Sequence, residues 1–243
     1  MTRVFYDFHI HTALSPCADG DMTPCNIVNM AGLSGLGVIA VTDHNCTLNA
    51  RACAAASKRL KGPLVIAGTE LTTAEEIHVI LLFPSLAAAD AFEDYVAPRR
   101  LKIANRPEIF GKQLIIDEFD NAVGEHPGLL IPATDISVED AGAVAAEFGA
   151  VAFPAHADKP ANGITAILGA IPERLGFSSA EVSRNGPDAF IKELTESGYR
   201  VLYNSDAHTL ADINERGRNV LEVGALTAEG VLEALRTKRR RTR

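Results

Sequence analysis

The chain has no tryptophan, and aromatic residues make up only 6% of its 243 positions. Single-stranded nucleic acid is bound by aromatic platforms set along a basic groove, and both are scarce here. With 23 lysines and arginines against 31 acidic residues, the formal net charge of -8 opposes phosphate backbones and anionic lipid alike. No apolar run approaches the roughly 20 residues of a membrane-crossing helix. The N-terminus enters a strand-like segment directly, without the charged, apolar and small-residue order of a secretory signal, so a cytoplasmic protein is expected. The four cysteines (Cys17, Cys25, Cys46, Cys53) form no Cys-x-x-Cys pair, which disfavours a disulfide framework and a structural zinc clip. There is no Gly-x-Ser-x-Gly elbow, and Ser205 beside Asp206 and His208 is too local a cluster to form a nucleophile triad alone. The glycines at 32–37 follow a helix and precede a strand, the reverse of a phosphate-binding loop.

What is present is an alternation of short apolar runs with amphipathic stretches, which argues for repeated strand-helix units and a mainly parallel sheet. Strands are expected at Val4–His9, Val38–Val41, Leu64–Ala67, Ile77–Phe83, Ala150–Pro154, Ala180–Val182, Arg200–Asn204 and Val220–Val223. Helices are expected after the Thr23-Pro24 cap, from Asn49, from Leu86, from the Ser137 capping-box-like start to the Gly149 stop, and from Thr227 to Arg236. Between 99 and 137 the rhythm breaks, with only a hairpin about Asp120-Asn121 to be read there. The chain is therefore divided into a barrel-forming part, 1–98 and 138–243, and an inserted cap, 99–137. The basic run Lys238-Arg239-Arg240-Arg241-Thr242-Arg243 is read as a solvated end and given no function.

All but one of the seven histidines stand near acids or other histidines at ligand-like spacings: His9 and His11, His44 after Asp43, His78 downstream of Glu70, His156, and His208 after Asp206. Residues two apart on a strand point the same way, so His9 and His11 can reach one ion. Imidazole and carboxylate together suit zinc, manganese or iron(II), and the carboxylates Glu70, Asp206 and Asp19 occur near strand ends. Most of these residues follow an expected strand, where barrel enzymes build their sites. His126, in Glu125-His126-Pro127-Gly128, is a turn residue and stays outside the set.

Asp7-Phe8-His9-Ile10-His11-Thr12, Val41-Thr42-Asp43-His44, Gly68-Thr69-Glu70, His78, His156 and Ser205-Asp206-Ala207-His208 resemble, in order and across essentially the whole chain, the PHP (polymerase and histidinol phosphatase) family of metal-dependent hydrolases. The resemblance implies an α/β fold, a distorted seven-stranded, TIM-like β/α barrel, that holds two or three divalent ions and hydrolyses phosphate esters. It implies that His9, His11, Glu70 and Asp206 hold one ion and that Glu70, His78 and His156 hold a second. His44 and His208 would hold the third with Asp19, or with Asp21 or Cys17, because the loop after His11 is longer than the family's. Asp43 would orient His44 or a neighbour by a hydrogen bond.

Two ions close together lower the pKa of a bridging water, so that hydroxide attacks phosphorus near neutral pH, with Asp206 as proton acceptor beside His208 and Glu70. Arg184 and Lys159, in loops at the presumed site face, would grip phosphate, and Arg106 and Lys112 in the insertion would close over the substrate. The expected substrate is small and phosphorylated: a nucleotide, nucleoside bisphosphate or similar phosphomonoester. The alternatives are an exonuclease-like phosphodiesterase, a non-catalytic metal-binding regulatory module, and amide or lactone hydrolysis on a related barrel. The acidic balance argues against a nucleic-acid polymer, and oligomeric state is not legible.

Overall fold

In the computed structural model, residues 1–237 are described; the basic run from Lys238 lies outside them. The first half of the chain forms β1 (Thr2–Ile10), α1 (Pro24–Leu33), β2 (Val38–Val41), α2 (Ala50–Leu60), β3 (Leu64–Thr72), β4 (His78–Leu82) and α3 (Leu86–Val96). The insertion carries α4 (Pro107–Phe110), β5 (Leu114–Ile116) and β6 (Ala122–Glu125). Then come α5 (Val138–Glu147), β7 (Val151–Pro154), α6 (Ile164–Leu168), β8 (Ser179–Val182), α7 (Asp188–Glu196), β9 (Arg200–Tyr203), β10 (Val220–Val223) and α8 (Ala228–Arg236).

A six-stranded sheet in the order β10-β1-β2-β3-β4-β7 curls into a half-barrel, with β8 and β9 as a separate parallel pair. Beyond β7, the Ala157 amide donates to the Glu181 carbonyl on β8 at 2.8 Å. On the other side the β9 exit meets β1: Phe8 N–H donates to Asn204 Oδ1 (3.0 Å), and Ala207 pairs with Ile10 in a parallel bridge. The result is a mixed α/β fold consistent with a TIM-like barrel.

The sheet is not mainly parallel, as the alternating rhythm suggests. β1–β2 and β2–β3 are parallel, but β3–β4, β4–β7 and β1–β10 are antiparallel. The reason is connection length: β3 joins β4 through residues 73–77 alone, whereas a parallel crossover needs roughly a dozen residues. Glu70 therefore lies inside β3, and His78 opens β4 at the same end of the sheet. Thr72 pairs with His78 and Glu70 with Ile80, so Glu70 and His78 are diagonal neighbours across the two strands.

Inside the curl, Tyr6, Phe8, Val38, Ala40, Ile66, Ile80, Leu82, Phe153 and Leu202 pack with Val231, Leu232 and Leu235 of α8. The Tyr6 and Phe8 rings stack at 4.4 Å. The β1–β2 register shifts between Asp7 and Ile10. That irregularity coincides with the change from core side chains, Tyr6 and Phe8, to the polar cluster of His9 and His11, a use of bulges that recurs beside active sites. A second core, with Leu71, Val79, Leu81, Phe92, Val144 and Leu194, fills the space between the sheet and α3, α5 and α7.

The expected caps hold in part. Ser137 accepts from Asp140 N–H and Thr227 from Gly230 N–H. Thr23 occupies the cap position of α1 without a cap bond, and Asn49 spends its side chain on Thr12 Oγ1 and the Leu114 carbonyl instead. The expected hairpin is β5–β6, turned through 117–121. Bridges Arg100↔Thr134 and Ala104↔Gly128 bring the two limbs of the insertion together.

Candidate metal centre

Five imidazoles surround the carboxylate of Glu70, which is 1% exposed. Oε1 faces His9 Nε2 (3.3 Å), His78 Nδ1 (2.7 Å) and His156 Nε2 (3.2 Å). Oε2 faces His11 Nε2 (3.3 Å) and His44 Nδ1 (3.0 Å). Asp206 Oδ1 completes the His9–His11 side, 3.3 Å from His9 Nε2 and 3.4 Å from His11 Nε2. Sequence-distant strand ends and loops converge here: β1 delivers His9 and His11, the β2 exit His44, β3 Glu70, β4 His78, the β7 exit His156, and the loop after β9 Asp206 and His208.

Two of these residues sit in the left-handed region that side-chain-bearing residues rarely occupy, His156 at φ 25 and Asp206 at φ 55, and Asn45 beside His44 is at φ 50. Such conformations persist where surrounding structure imposes them, commonly at functional sites.

Three groups of donor atoms lie close enough to share an ion: His9, His11, Glu70 and Asp206; His44, Glu70 and His78; and His11, His44 and His208. The fit of the first group to a metal can be tested by edge length. Four ligands at roughly 2.0–2.1 Å from a tetrahedral zinc stand about 3.3 Å apart, and the His9 Nε2–His11 Nε2 separation is 3.2 Å, with the carboxylate edges at 3.3–3.4 Å. Glu70 Oε2 and His44 Nδ1 are buried without a hydrogen-bond partner among the described residues. Buried polar atoms are ordinarily paired, so donors left facing one another fit a cation between them.

The ligand-facing nitrogens are set by what holds the opposite nitrogen. His9 Nδ1 faces both oxygens of Glu181 at 3.0 and 3.1 Å. His11 Nδ1 reaches Ser15 Oγ (3.0 Å), which donates to Asp43 Oδ1 (2.7 Å). His208 Nδ1 donates to the Asp206 carbonyl at 2.8 Å. Through Ser15, whose Oγ also accepts the His44 N–H at 3.2 Å, Asp43 thus acts on both His11 and His44, and it also anchors Thr12 by its N–H and hydroxyl (2.8 Å each).

Charge follows from this packing. Burial disfavours an ionised Glu70, but the imidazoles of His78, His9 and His44 outweigh it and hold the acid well below the usual carboxylate range. Burial likewise opposes a charged His11, yet the neighbouring carboxylates of Asp206 and Glu70 carry its pKa up to about 9. His44 and His208, where burial wins, fall to about 4. Asp206 is held far below its ordinary value by His9 and His11 in spite of burial.

The cluster opens into a cavity of about 430 Å³ lined by Glu70, His44, His78, His156, Asp206 and His208, with Cys17, Lys159 and Asn162 at its walls. Lys159 Nζ donates to Asp206 Oδ2 at 2.6 Å. A second cavity of about 450 Å³ shares His156, Lys159, Asp206 and His208 and adds Glu181 and Arg184. Arg184 donates to the Asp212 carbonyl at 2.6 Å.

The structure does not bring every expected residue to the centre. Asp19 and Asp21 are exposed and stand outside the three donor groups; Asp19 meets the site through its amide, which donates to the His208 carbonyl. Cys17 lines the cavity but is exposed and stands outside the three donor groups. Arg106 and Lys112 are exposed and line neither cavity. The insertion reaches the mouth through Ile131, Pro132 and Ala133, held by Asn45, whose Nδ2 donates to the carbonyls of Leu130 (2.7 Å) and Pro132 (2.9 Å). His126 bonds Gly128 in its own turn, as expected.

Glu181 is a participant that sequence reading missed. Its only signal is a carboxylate between Ala180 and Val182 in a fully buried strand; Ser15 and Asn45 carry no signal of their own.

No family model matches the chain, and no curated protein matches it. Solved structures do. The lesion-specific endonuclease Q from Pyrococcus furiosus superposes with a TM-score of 0.69 at 20% identity over 97% of this chain, which spans 56% of that one. A Bifidobacterium adolescentis protein named as a metal-dependent phosphoesterase gives 0.63 at 21% identity, covering 95% of each chain. An amidohydrolase from Chromobacterium violaceum, with bound sulfate and no metal, gives 0.59 at 20% identity over 94% of this chain and 96% of that one. The chain has the fold of these three enzymes.

Proposed function

We propose that the chain is a PHP-type metal-dependent phosphoesterase that hydrolyses a small phosphorylated substrate, its site carried by a seven-stranded barrel and its substrate selected by the segment 99–137. The observation that carries this reading is Glu70: one buried carboxylate faced by five imidazoles, with edge lengths suited to coordination. His9, His11, Glu70 and Asp206 would hold one divalent ion, Glu70, His78 and His156 with His44 alongside a second, and His44, His208 and His11 frame a third position. Manganese, zinc or iron ions held there supply polarisation of phosphate oxygens and a lowered pKa for water.

The chain's own residues account for the rest. Lys159, bonded to Asp206 and lining both cavities, offers a point charge to a phosphate oxygen. Arg184 lines the adjoining cavity, where its planar fork suits a phosphate group. Asp206 accepts the proton of the attacking water. His208 spends its Nδ1–H on the Asp206 carbonyl and keeps the Nε2 lone pair for the third position. Pinned Ile131, Pro132 and Ala133 narrow the mouth and shed water from one side of the substrate.

A cavity of about 430 Å³ lies in the range of small-molecule sites, and the net charge of -8 disfavours a long polyanion. The fold match to endonuclease Q favours a second reading, a nuclease whose DNA strand end enters the two joined cavities. A panel of nucleotides, nucleoside bisphosphates and sugar phosphates, beside oligonucleotides and duplex DNA with an abasic site, separates the two. Turnover of small phosphomonoesters, lost with chelator and restored by manganese or zinc, is expected. Cleavage of the DNA substrates alone would replace the first reading by the second.

A further inference from the structure

Glu181 stands behind the cluster rather than in it. Its side chain, 1% exposed, meets three groups from three other parts of the chain. Oε1 accepts from the His156 backbone N–H at 3.0 Å, and Oε2 accepts from Asn204 Nδ2 at 2.7 Å. Both oxygens face His9 Nδ1. Asn204 in turn accepts the Phe8 N–H through Oδ1 at 3.0 Å. One carboxylate therefore fixes the ring of His9 and the backbone that carries His156, two imidazoles that face the same Glu70 oxygen.

The chemistry of this arrangement is directional. A carboxylate can only accept, so the nitrogen of His9 that faces it must carry the proton. The other nitrogen, Nε2, is then committed to the cage of His11, Glu70 and Asp206. A carboxylate behind a ligating imidazole fixes its tautomer and orientation, and losing such a partner typically weakens metal binding 10–100-fold. A merely structural acid would be replaceable by any group that restores the same hydrogen bonds. Glu181 is buried at some cost and could have been an amide if pairing were its whole purpose.

We propose that Glu181 is a positioning residue: it holds His9 with Nδ1 protonated and Nε2 turned to the cage, and its negative charge strengthens ion binding there. The inference rests on the metal-site reading above, and the experiment keeps the two apart. In Glu181→Gln alone, the introduced NH₂ group confronts the NH₂ group of Asn204, so loss of folding would say nothing of metal. The double variant Glu181→Gln/Asn204→Asp exchanges donor for acceptor across that bond. The amide oxygen still accepts from His9 and His156, its NH₂ donates to the new carboxylate, and Phe8 N–H keeps its acceptor. All of these bonds are kept except the 3.1 Å contact of His9 Nδ1 with Oε2, where the NH₂ now stands, while the charge moves one residue away from His9.

Zinc affinity is measured by chelator competition for the native chain and the double variant, with thermal unfolding of the metal-free forms alongside. The expected result is at least tenfold weaker zinc binding in the double variant at an unchanged unfolding temperature. Equal affinity would overturn the role of Glu181 and leave the metal site standing, whereas a native chain that binds no zinc would overturn both. Nitrogen-15 spectra of the histidine rings in the zinc-loaded native chain give a second check that needs no variant. His9 protonated at Nδ1 is expected, and His9 protonated at Nε2 would overturn the proposal even if neither variant folds.

Discussion

His44 Nδ1 and Glu70 Oε2 lie 3.0 Å apart, both buried, and make no hydrogen bond. At that separation two neutral or oppositely charged groups would ordinarily share a proton along the line between them. They belong instead to a donor group that His78 completes, its atoms close enough to share one point. A cation at that point satisfies atoms that nothing else among the described residues satisfies.

Replacing Glu70 by Gln removes the charge that five imidazoles share. Turnover of the phosphoester is expected to fall by at least about 10³-fold, since several kcal/mol of charge stabilisation depends on the bound ions. Metal content by elemental analysis should fall with it. His126→Ala, remote from the centre, should leave both near normal; an active Glu70→Gln enzyme would mean the site is misplaced.

Ion uptake should release protons. In the metal-free protein, burial opposes the charged form of His11 but the neighbouring carboxylates of Asp206 and Glu70 raise its pKa to about 9, and His9 is raised well above the usual histidine value against the same opposition, by Glu181, Glu70 and Asp206. His11 is thus protonated at pH 7.5, and an ion that takes its Nε2 must displace that proton. Calorimetric titration with zinc in buffers of different ionisation heats measures the number released, and none would contradict this charge state. Because the folded pKa of His11 is raised, its contribution to metal-free stability is complete below the unfolded value of roughly 6.5 and is lost as pH climbs through about 9. Metal-free protein should therefore unfold more readily at pH 9.5 than at pH 6.5 with respect to this group, while metal-loaded protein shows the opposite trend.

Lys159→Met should separate substrate binding from metal binding. The ammonium touches Asp206 and lines both cavities, yet it is no ligand. KM for the phosphoester is expected to rise about tenfold, roughly 1.4 kcal/mol, with zinc stoichiometry unchanged. A variant that loses its metal instead would make Lys159 a structural partner of Asp206.

Asn45→Ala should loosen the wall formed by Ile131, Pro132 and Ala133. The side chain donates to the Leu130 and Pro132 carbonyls and accepts from Thr72 N–H at 2.7 Å, all away from bulk water. Leaving buried groups unpaired, at a position of positive φ, is expected to cost about 3 kcal/mol in denaturant unfolding. A change below about 0.5 kcal/mol, the ordinary range of surface substitutions, would show that the loop is held some other way.

The residues that converge on Glu70 were legible because metal chemistry restricts side-chain type: His9-x-His11, Asp43-His44 and Asp206-x-His208 carry their meaning locally, and Glu70 and His78 gain it from order along the chain. The strands and helices that carry them were legible from apolar patterning, to within a few residues. The antiparallel course of β4 was not, because Ile77 to Phe83 reads the same in either direction and only the short link at 73–77 decides it. Asp19 was expected at the centre from chain order, whereas the loop geometry turns it to solvent. Arg106 and Lys112 fell to the same problem, since an insertion's charge pattern does not say which limb faces the mouth. Glu181 and Ser15 act through hydrogen bonds between segments far apart in sequence, which no local pattern encodes.

The central claim is that Glu70, His9, His11 and Asp206 form a cage for a divalent ion. Crystals grown with zinc, measured at the zinc absorption edge, test it most directly. An anomalous peak at roughly 2.0–2.2 Å from His9 Nε2, His11 Nε2, Asp206 Oδ1 and a Glu70 oxygen is expected. Crystals in which those four side chains surround no peak, with zinc bound only elsewhere on the chain, would contradict it.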